Sequence, residues 1–178
     1  MAEFTLVTTH DRLDLCPQVA TLINSMWPMS IYARRAMLER SHPLLPCSLV
    51  LLAKNLPDLA QEAPPIDRLT TDGQTILGHC RVMSLGGPKG VLFEIVVVDE
   101  QHRGKGFGKI LMQKAEEYMK AAGKAIVYLN TTDKQAFYEH LGYHVCDPVT
   151  SGVFGGKVQT LDQTPSTEPK LVWLKKEL

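Results

Sequence analysis

The sequence predicts one α/β domain, and three observations carry that reading. Val91 to Val98 is a run of apolar and β-branched residues interrupted only by Glu94, the pattern of a central strand buried on both faces. A glycine-rich loop, Arg103-Gly104-Lys105-Gly106-Phe107-Gly108, comes next, and Ile110, Leu111, Ala115, Tyr118, Met119 and Ala122 then recur at helical spacing up to Gly123, which suits the position just past a helix end. The third observation is 44% hydrophobic content over 178 residues, enough for one sizeable core and too little chain for a second.

The remaining elements follow in order. Glu3 to Thr8 alternates as a strand, and Asp11 and Asp14 are placed to cap a helix. Val19, Leu22, Ile23, Met26 and Trp27 share one helical face, with Pro17 in the first turn and Pro28 at the end. Ser30 is placed to cap a more polar helix through Arg40, stopped by Pro43 and Pro46. Ser48 to Ala53 and Thr75 to Leu85 read as strands, and Gly86-Gly87-Pro88-Lys89-Gly90 turns into the central strand. Asn55 to Asp72, rich in Pro, Asp and Gln without periodicity, reads as a surface insertion. After Gly123 come a strand from Ala125 to Leu129, a helix from Lys134 to Leu141 with Asp133 as its cap, and a strand through Cys146. A loop from Thr150 to Thr167 and a strand from Leu171 to Leu174 complete the chain.

Composition narrows the function classes. Nineteen basic residues balance nineteen acidic ones, so no global field favours nucleic acid or an anionic membrane, and any charge preference is local. Cys16, Cys47, Cys80 and Cys146 form no C-x-x-C pair, which points to buried thiols rather than a metal site or redox dithiol. The amino terminus lacks a basic-then-apolar leader and no apolar run is long enough to span a bilayer, so a cytosolic, monomeric protein is expected.

The glycine loop has a chemical use. Glycines let the backbone approach a ligand, and the unpaired N–H groups of the following helix attract phosphate oxygens, with Arg103, Lys105 and Lys109 adding charge nearby. A P-loop fails because no Ser or Thr follows a Gly-Lys pair at the loop's end; a dinucleotide fold fails because no upstream parallel βαβ half is visible. An ordinary strand-to-helix turn is the structural alternative.

Gln101-x-x-Gly104-x-Gly106 behind Val96-Val97-Val98-Asp99 resembles the acyl-CoA signature of the GCN5-related N-acetyltransferases, the GNAT superfamily. The resemblance implies a mixed, mostly antiparallel sheet flanked by helices and acetyl-CoA as acetyl donor. It places Val96, Val97 and Val98 along the pantetheine and acetyl group, and Arg103, Gly104, Lys105, Gly106, Phe107, Gly108 and Lys109 at the pyrophosphate. Phe137-Tyr138-x-His140-Leu141-Gly142-Tyr143 resembles the family segment whose tyrosine points at the coenzyme sulfur, which makes Tyr138 the candidate acid; the alternative is a pair of core aromatics.

Acetyl transfer to an amine also needs a neutral nucleophile. Glu94 is the candidate base, acting directly or through water, and the alternative is that it only orients a neighbour. A protein α-amine is roughly 20% neutral near pH 7.4 and a lysine roughly 0.1%, so an α-amine makes the smaller demand on a base. His79, His102, His140 and His144 receive no role, and His102 and His140 read as exposed.

In the family the connection between the first two helices borders the acceptor groove. Trp27, Ser30 and Arg34 share a face spacing there, with Arg35 beside them, and Thr131 is a further candidate for shaping the acceptor site. A guanidinium suits a carboxylate because it donates two parallel hydrogen bonds. Adjacent helical residues point ~100° apart, so one arginine, Arg34, is expected to face the groove; two solvated arginines are the alternative. Met26-Trp27-Pro28-x-Ser30 together with the motifs above most resembles the branch of the family that acetylates the acidic amino terminus of actin. The proline-rich stretch linked to profilin in that branch is reduced to Pro43-x-x-Pro46 and Pro64-Pro65, so direct profilin docking is not expected. A GNAT enzyme for a small amine or lysine, and a non-catalytic acyl-CoA- or actin-binding module, stay open.

Overall fold

A computed structural model describes residues 2–56, 68–149 and 170–178. Most of the predicted insertion, Pro64-Pro65 with it, and the predicted loop from Thr150 to Thr167 lie outside these residues. Among the described residues seven strands form one sheet: β1 (Glu3–Thr8), β2 (Cys47–Lys54), β3 (Thr75–Ser84), β4 (Gly90–Val98), β5 (Ile126–Thr131), β6 (His144–Cys146) and β7 (Val172–Glu177). Their spatial order is β1-β2-β3-β4-β5-β7-β6, so β4 is central. All pairs are antiparallel except β4 with β5. Among the described residues four α-helices flank the sheet: α1 (Cys16–Asn24), α2 (Ile31–Glu39), α3 (Phe107–Ala121) and α4 (Gln135–His140).

Strand alternation divides the core between the two sheet faces. On β2, Leu49 and Leu51 pack with Leu77, Phe93 and the α3 residues Leu111, Met112 and Ala115. Val50 and Leu52, on the other face, pack with Ile76, Val97 and the α1–α2 residues Val19, Leu22, Ile23 and Leu38. Burying a Leu or Ile side chain is worth about 1.5–3 kcal/mol, so the faces of α1 and α3 that meet the sheet hold them there.

Local signals differ from expectation at several places. The first helix ends at Asn24, so Met26 and Trp27 lie beyond it and are exposed rather than on its buried face. Asp14 pairs with Arg12 at 2.8 Å, and Asp11 accepts the Thr8 hydroxyl at 2.6 Å; neither caps α1, because a single 3-10 turn, Leu13–Leu15, intervenes. The α4 start is supported by the Thr131 hydroxyl, which accepts the Lys134 N–H at 3.0 Å, rather than by Asp133. The last strand runs on past Leu174 to Glu177, because it lies between β5 and β6 and pairs with both.

Candidate active site

The site begins where the central sheet opens. β4 pairs with β5 only from Gly90 to Leu92; beyond that β5 continues against β7 and β4 against β3 alone. The Asp99 N–H donates to the Leu77 carbonyl at 2.8 Å, which turns the Val97 peptide groups toward β3 and those of Val96 and Val98 toward the opening. His79 pairs with Val97 and Arg81 with Glu94, so two residues of β4, Ile95 and Val96, stand opposite Cys80 in a β-bulge. Ile95 adopts φ +50°, a left-handed conformation costing a β-branched residue about 1–2 kcal/mol.

Past Val98 the chain makes one 3-10 turn, Glu100–His102, anchored by a buried network. Asp99 accepts Arg68 Nε at 3.0 Å on one oxygen and His102 Nδ1 at 2.9 Å on the other. His102 is thus buried against Asp99 and the Phe107 ring, not exposed as its sequence context implies; Arg68, the other partner of Asp99, is remote in the chain.

Gly104 (φ +76°) and Gly106 (φ +84°) follow, and a side chain at either would project into open space. Gly106 flanks the first residue of α3 with no side chain capping the helix, which leaves the first-turn N–H groups to a ligand. Lys105 and Lys109 are exposed around it. Open backbone, uncapped amides and flanking cations fit a pyrophosphate. Arg103 differs from expectation: its Nε donates to the Val98 carbonyl at 3.2 Å and its Nη2 to the Met26 sulfur at 2.8 Å, so it ties the loop to the α1–α2 connection. Gly108 sits where the elements converge, since a Cβ there would lie 3.3 Å from the Phe137 ring and 3.7 Å from Val98.

Tyr138 approaches from α4. Only 8% of it is exposed, its ring meets Phe137 and Tyr143 edge-on, and its hydroxyl makes no hydrogen bond to the described residues. Burial first, then the neighbouring Cys80 and Asp133, push the phenol above its ordinary value of 10, so it stays protonated at neutral pH. Tyr143 is locked behind it by a 2.8 Å bond to Glu116, whose other oxygen accepts Lys176 at 2.6 Å. Thr131, expected at the acceptor site, supports the α4 start and through it Tyr138.

The face covered by α1 and α2 carries the other polar groups. Glu94 lies 3.5 Å from Arg81 across the strand pair. Arg34 is buried: Nε donates to the Asn24 side chain at 3.0 Å and Nη2 to the Trp27 carbonyl at 2.8 Å. Burial, then the charge of Arg81, lowers its pKa from the ordinary arginine value, and the guanidinium stays charged. Arg34 therefore fastens α2 to the end of α1, while Arg35 points outward to Glu39 at 3.6 Å. Trp27 is 45% exposed, and the Ser30 side chain is exposed and makes no capping bond. Sequence reading overlooked Arg81, because only strand register places it opposite Glu94. Among the described residues no cluster of His, Cys, Asp or Glu has a metal-binding arrangement.

Comparison with known proteins agrees with this geometry. A model of the Acetyltransferase (GNAT) family matches residues 38–143. The chain is 35% identical over 144 residues to mouse N-alpha-acetyltransferase 80, a match spanning 80% of this chain and 42% of that protein. Two solved structures share the fold: aminoglycoside 6'-acetyltransferase type Ii (18% identity, TM-score 0.62, covering 98% of this chain and 96% of that one), and aminoglycoside 6'-N-acetyltransferase complexed with coenzyme A (16%, 0.60, 97% and 96%). With the opened β4 edge, the glycine loop leading into α3 and the family match over most of the chain, the protein belongs to the Acetyltransferase (GNAT) family.

Proposed function

We propose that this protein transfers the acetyl group of acetyl-CoA to the free α-amine of an acidic protein amino terminus, with processed actin as substrate. The observation that carries the reading is an excess of positive charge on the face under α1 and α2: among the described residues Glu94 pairs with Arg81 at 3.5 Å, and the buried Arg34 guanidinium is held by the Asn24 side chain and the Trp27 carbonyl with no carboxylate beside it. An acidic peptide relieves that imbalance, and a neutral or basic one does not. The similarity to mouse N-alpha-acetyltransferase 80 supports an α-amine acceptor, although the chain spans only 42% of that relative.

Acetyl-CoA, when bound, supplies the acetyl group as an activated thioester. Gly104, Gly106 and the first-turn amides of α3 hold the pyrophosphate, with Lys105 and Lys109 beside them, and Val96 to Val98 line the pantetheine. The N–H groups freed at the bulge polarise the acetyl carbonyl. Glu94, directly or through a water, accepts the amine proton as the C–N bond forms. Tyr138, kept protonated by burial, gives its proton to the sulfur as the C–S bond breaks. Trp27, Ser30 and Arg81 border the acceptor, and Arg34 holds that border in place.

Three peptides of equal length test this: one starting with three aspartates, one with neutral residues, and an amino-blocked acidic peptide with an internal lysine. Product mass and initial rate are read for each with acetyl-CoA. Strong preference for the first supports the reading. Equal rates on the first two, or modification of the third, reject it in favour of a small-amine or lysine acetyltransferase.

A further inference from the structure

His79 lies in the middle of β3 with no exposed surface, beneath the bulge of β4. Its strand partners on either side, Val50 and Val97, belong to the core under α1 and α2. The Nδ1 atom lies 3.1 Å from the Ile95 carbonyl oxygen. A carbonyl only accepts, so Nδ1 carries the proton and donates. Nε2 is then a lone-pair acceptor, and it is buried without a partner. Burial, and the charges of Arg81 and Arg34, hold the ring neutral at physiological pH, so this one-donor form is the one present. An apolar side chain here would leave no orphaned nitrogen, but it would give up the Nδ1–H.

That N–H has a specific job in the ladder. Arg81 and His79 point their own peptide groups at β4, while Cys80 between them points at β2, so β3 offers the two bulged residues no main-chain partner. The Ile95 carbonyl is satisfied by the His79 ring instead. The Ile95 carbonyl and the Val96 N–H belong to one planar trans peptide and point in opposite directions. Fixing the carbonyl on His79 therefore aims the Val96 N–H away from the His79 ring, at the stretch where β4 has parted from β5. Ile95 reaches this orientation only through φ +50°, a conformation that a β-branched residue leaves when nothing holds it.

We propose that His79 is a positioning residue for acetyl transfer: by binding the Ile95 carbonyl it holds the bulged peptide so that the Val96 N–H meets the acetyl carbonyl. This rests on the acetyl-transfer reading and adds to it a side chain that touches neither substrate.

The test compares His79→Leu, which removes the donor, with His79→Asn, whose amide N–H falls near the place of Nδ1–H. Steady-state rates on the aspartate peptide are measured alongside the infrared carbonyl stretch of bound [1-13C]acetyl-CoA. Loss of a transition-state donor costs about 100- to 1000-fold, and its misorientation less, so kcat of His79→Leu is expected to fall about 10- to 100-fold. Both KM values stay within about 2-fold. The carbonyl stretch shifts to higher frequency, and His79→Asn recovers most of both signals. Equal losses in the two variants, or an unshifted carbonyl in His79→Leu, overturn the proposal. If His79→Leu does not fold, His79→Gln replaces it, since its amide reaches past the Nδ1 position. A wild-type protein that binds acetyl-CoA but transfers nothing rejects the acetyl-transfer reading; the carbonyl shift between the variants still decides the role of His79.

Discussion

Arg34 donates from Nε to the Asn24 side chain at 3.0 Å, across the turn that joins α1 to α2. With its second bond, to the Trp27 carbonyl, the guanidinium is a buried fastener that sets where the exposed Trp27 stands. Arg34→Ala breaks both of these charge-assisted bonds, and a longer one from Nη1 to the Met37 sulfur at 3.8 Å, and is expected to cost about 2–4 kcal/mol in urea unfolding. Arg35→Ala, which loses only an exposed pair with Glu39, should change stability by less than about 0.5 kcal/mol.

Tyr138→Phe tests the acid. The hydroxyl makes no hydrogen bond to the described residues, so its removal should leave the unfolding midpoint nearly unchanged. Single-turnover rates should nonetheless fall about 100-fold or more, in the range lost with a general acid, while acetyl-CoA affinity holds. An unchanged rate would remove Tyr138 from the mechanism.

Gly104→Ala tests the loop. The left-handed φ of +76° costs an alanine about 1 kcal/mol, and open space around the position means that nothing else clashes. The loop relaxes and the KM for acetyl-CoA should rise several-fold, with the peptide KM unaffected. A rise in the peptide KM alone would move the pyrophosphate elsewhere.

His79 also gives stability a pH dependence. Burial lowers its folded value from 6.5 to about 4. As pH falls below 6.5 the unfolded chain takes up a proton that the folded chain refuses until about 4, so stability drops across that window and the loss is complete below it. The span corresponds to about 3 kcal/mol. His79→Asn should lack this component, so its stability deficit against wild type should shrink between pH 7 and 4.5. A deficit independent of pH would mean that the ring is solvated or charged in the fold.

The glycine loop and its flanking strand and helix were legible because hydrophobic runs and glycines mark them directly, from Val91 to Gly123. Tyr138 was singled out by motif, and what the structure adds is its burial, which keeps the phenol protonated at neutral pH. What escaped the sequence depends on register and on distant partners. No glycine marks the bulge, since an isoleucine takes the left-handed position and a histidine on the neighbouring strand supports it. Spacing expected Arg34 to face the acceptor groove, and it could not say that Arg34 would be buried on the Asn24 side chain and the Trp27 carbonyl. Arg81 and the Arg68–Asp99–His102 network were invisible for the same reason.

Arg81 offers the most direct test of the central claim. The quantity to measure is kcat/KM on an aspartate-started peptide divided by that on a neutral peptide, in wild type and in Arg81→Gln. Any loss of Glu94's part in proton removal cancels in the ratio, because both peptides need it, while its unpaired charge repels the aspartate peptide and lowers the ratio in the same direction as the lost cation. The account predicts a wild-type ratio of about 10 or more, equivalent to about 1.4 kcal/mol, falling several-fold in the variant. A wild-type ratio near one, or a ratio that Arg81→Gln leaves unchanged, would contradict acidic-terminus recognition at this edge of the sheet.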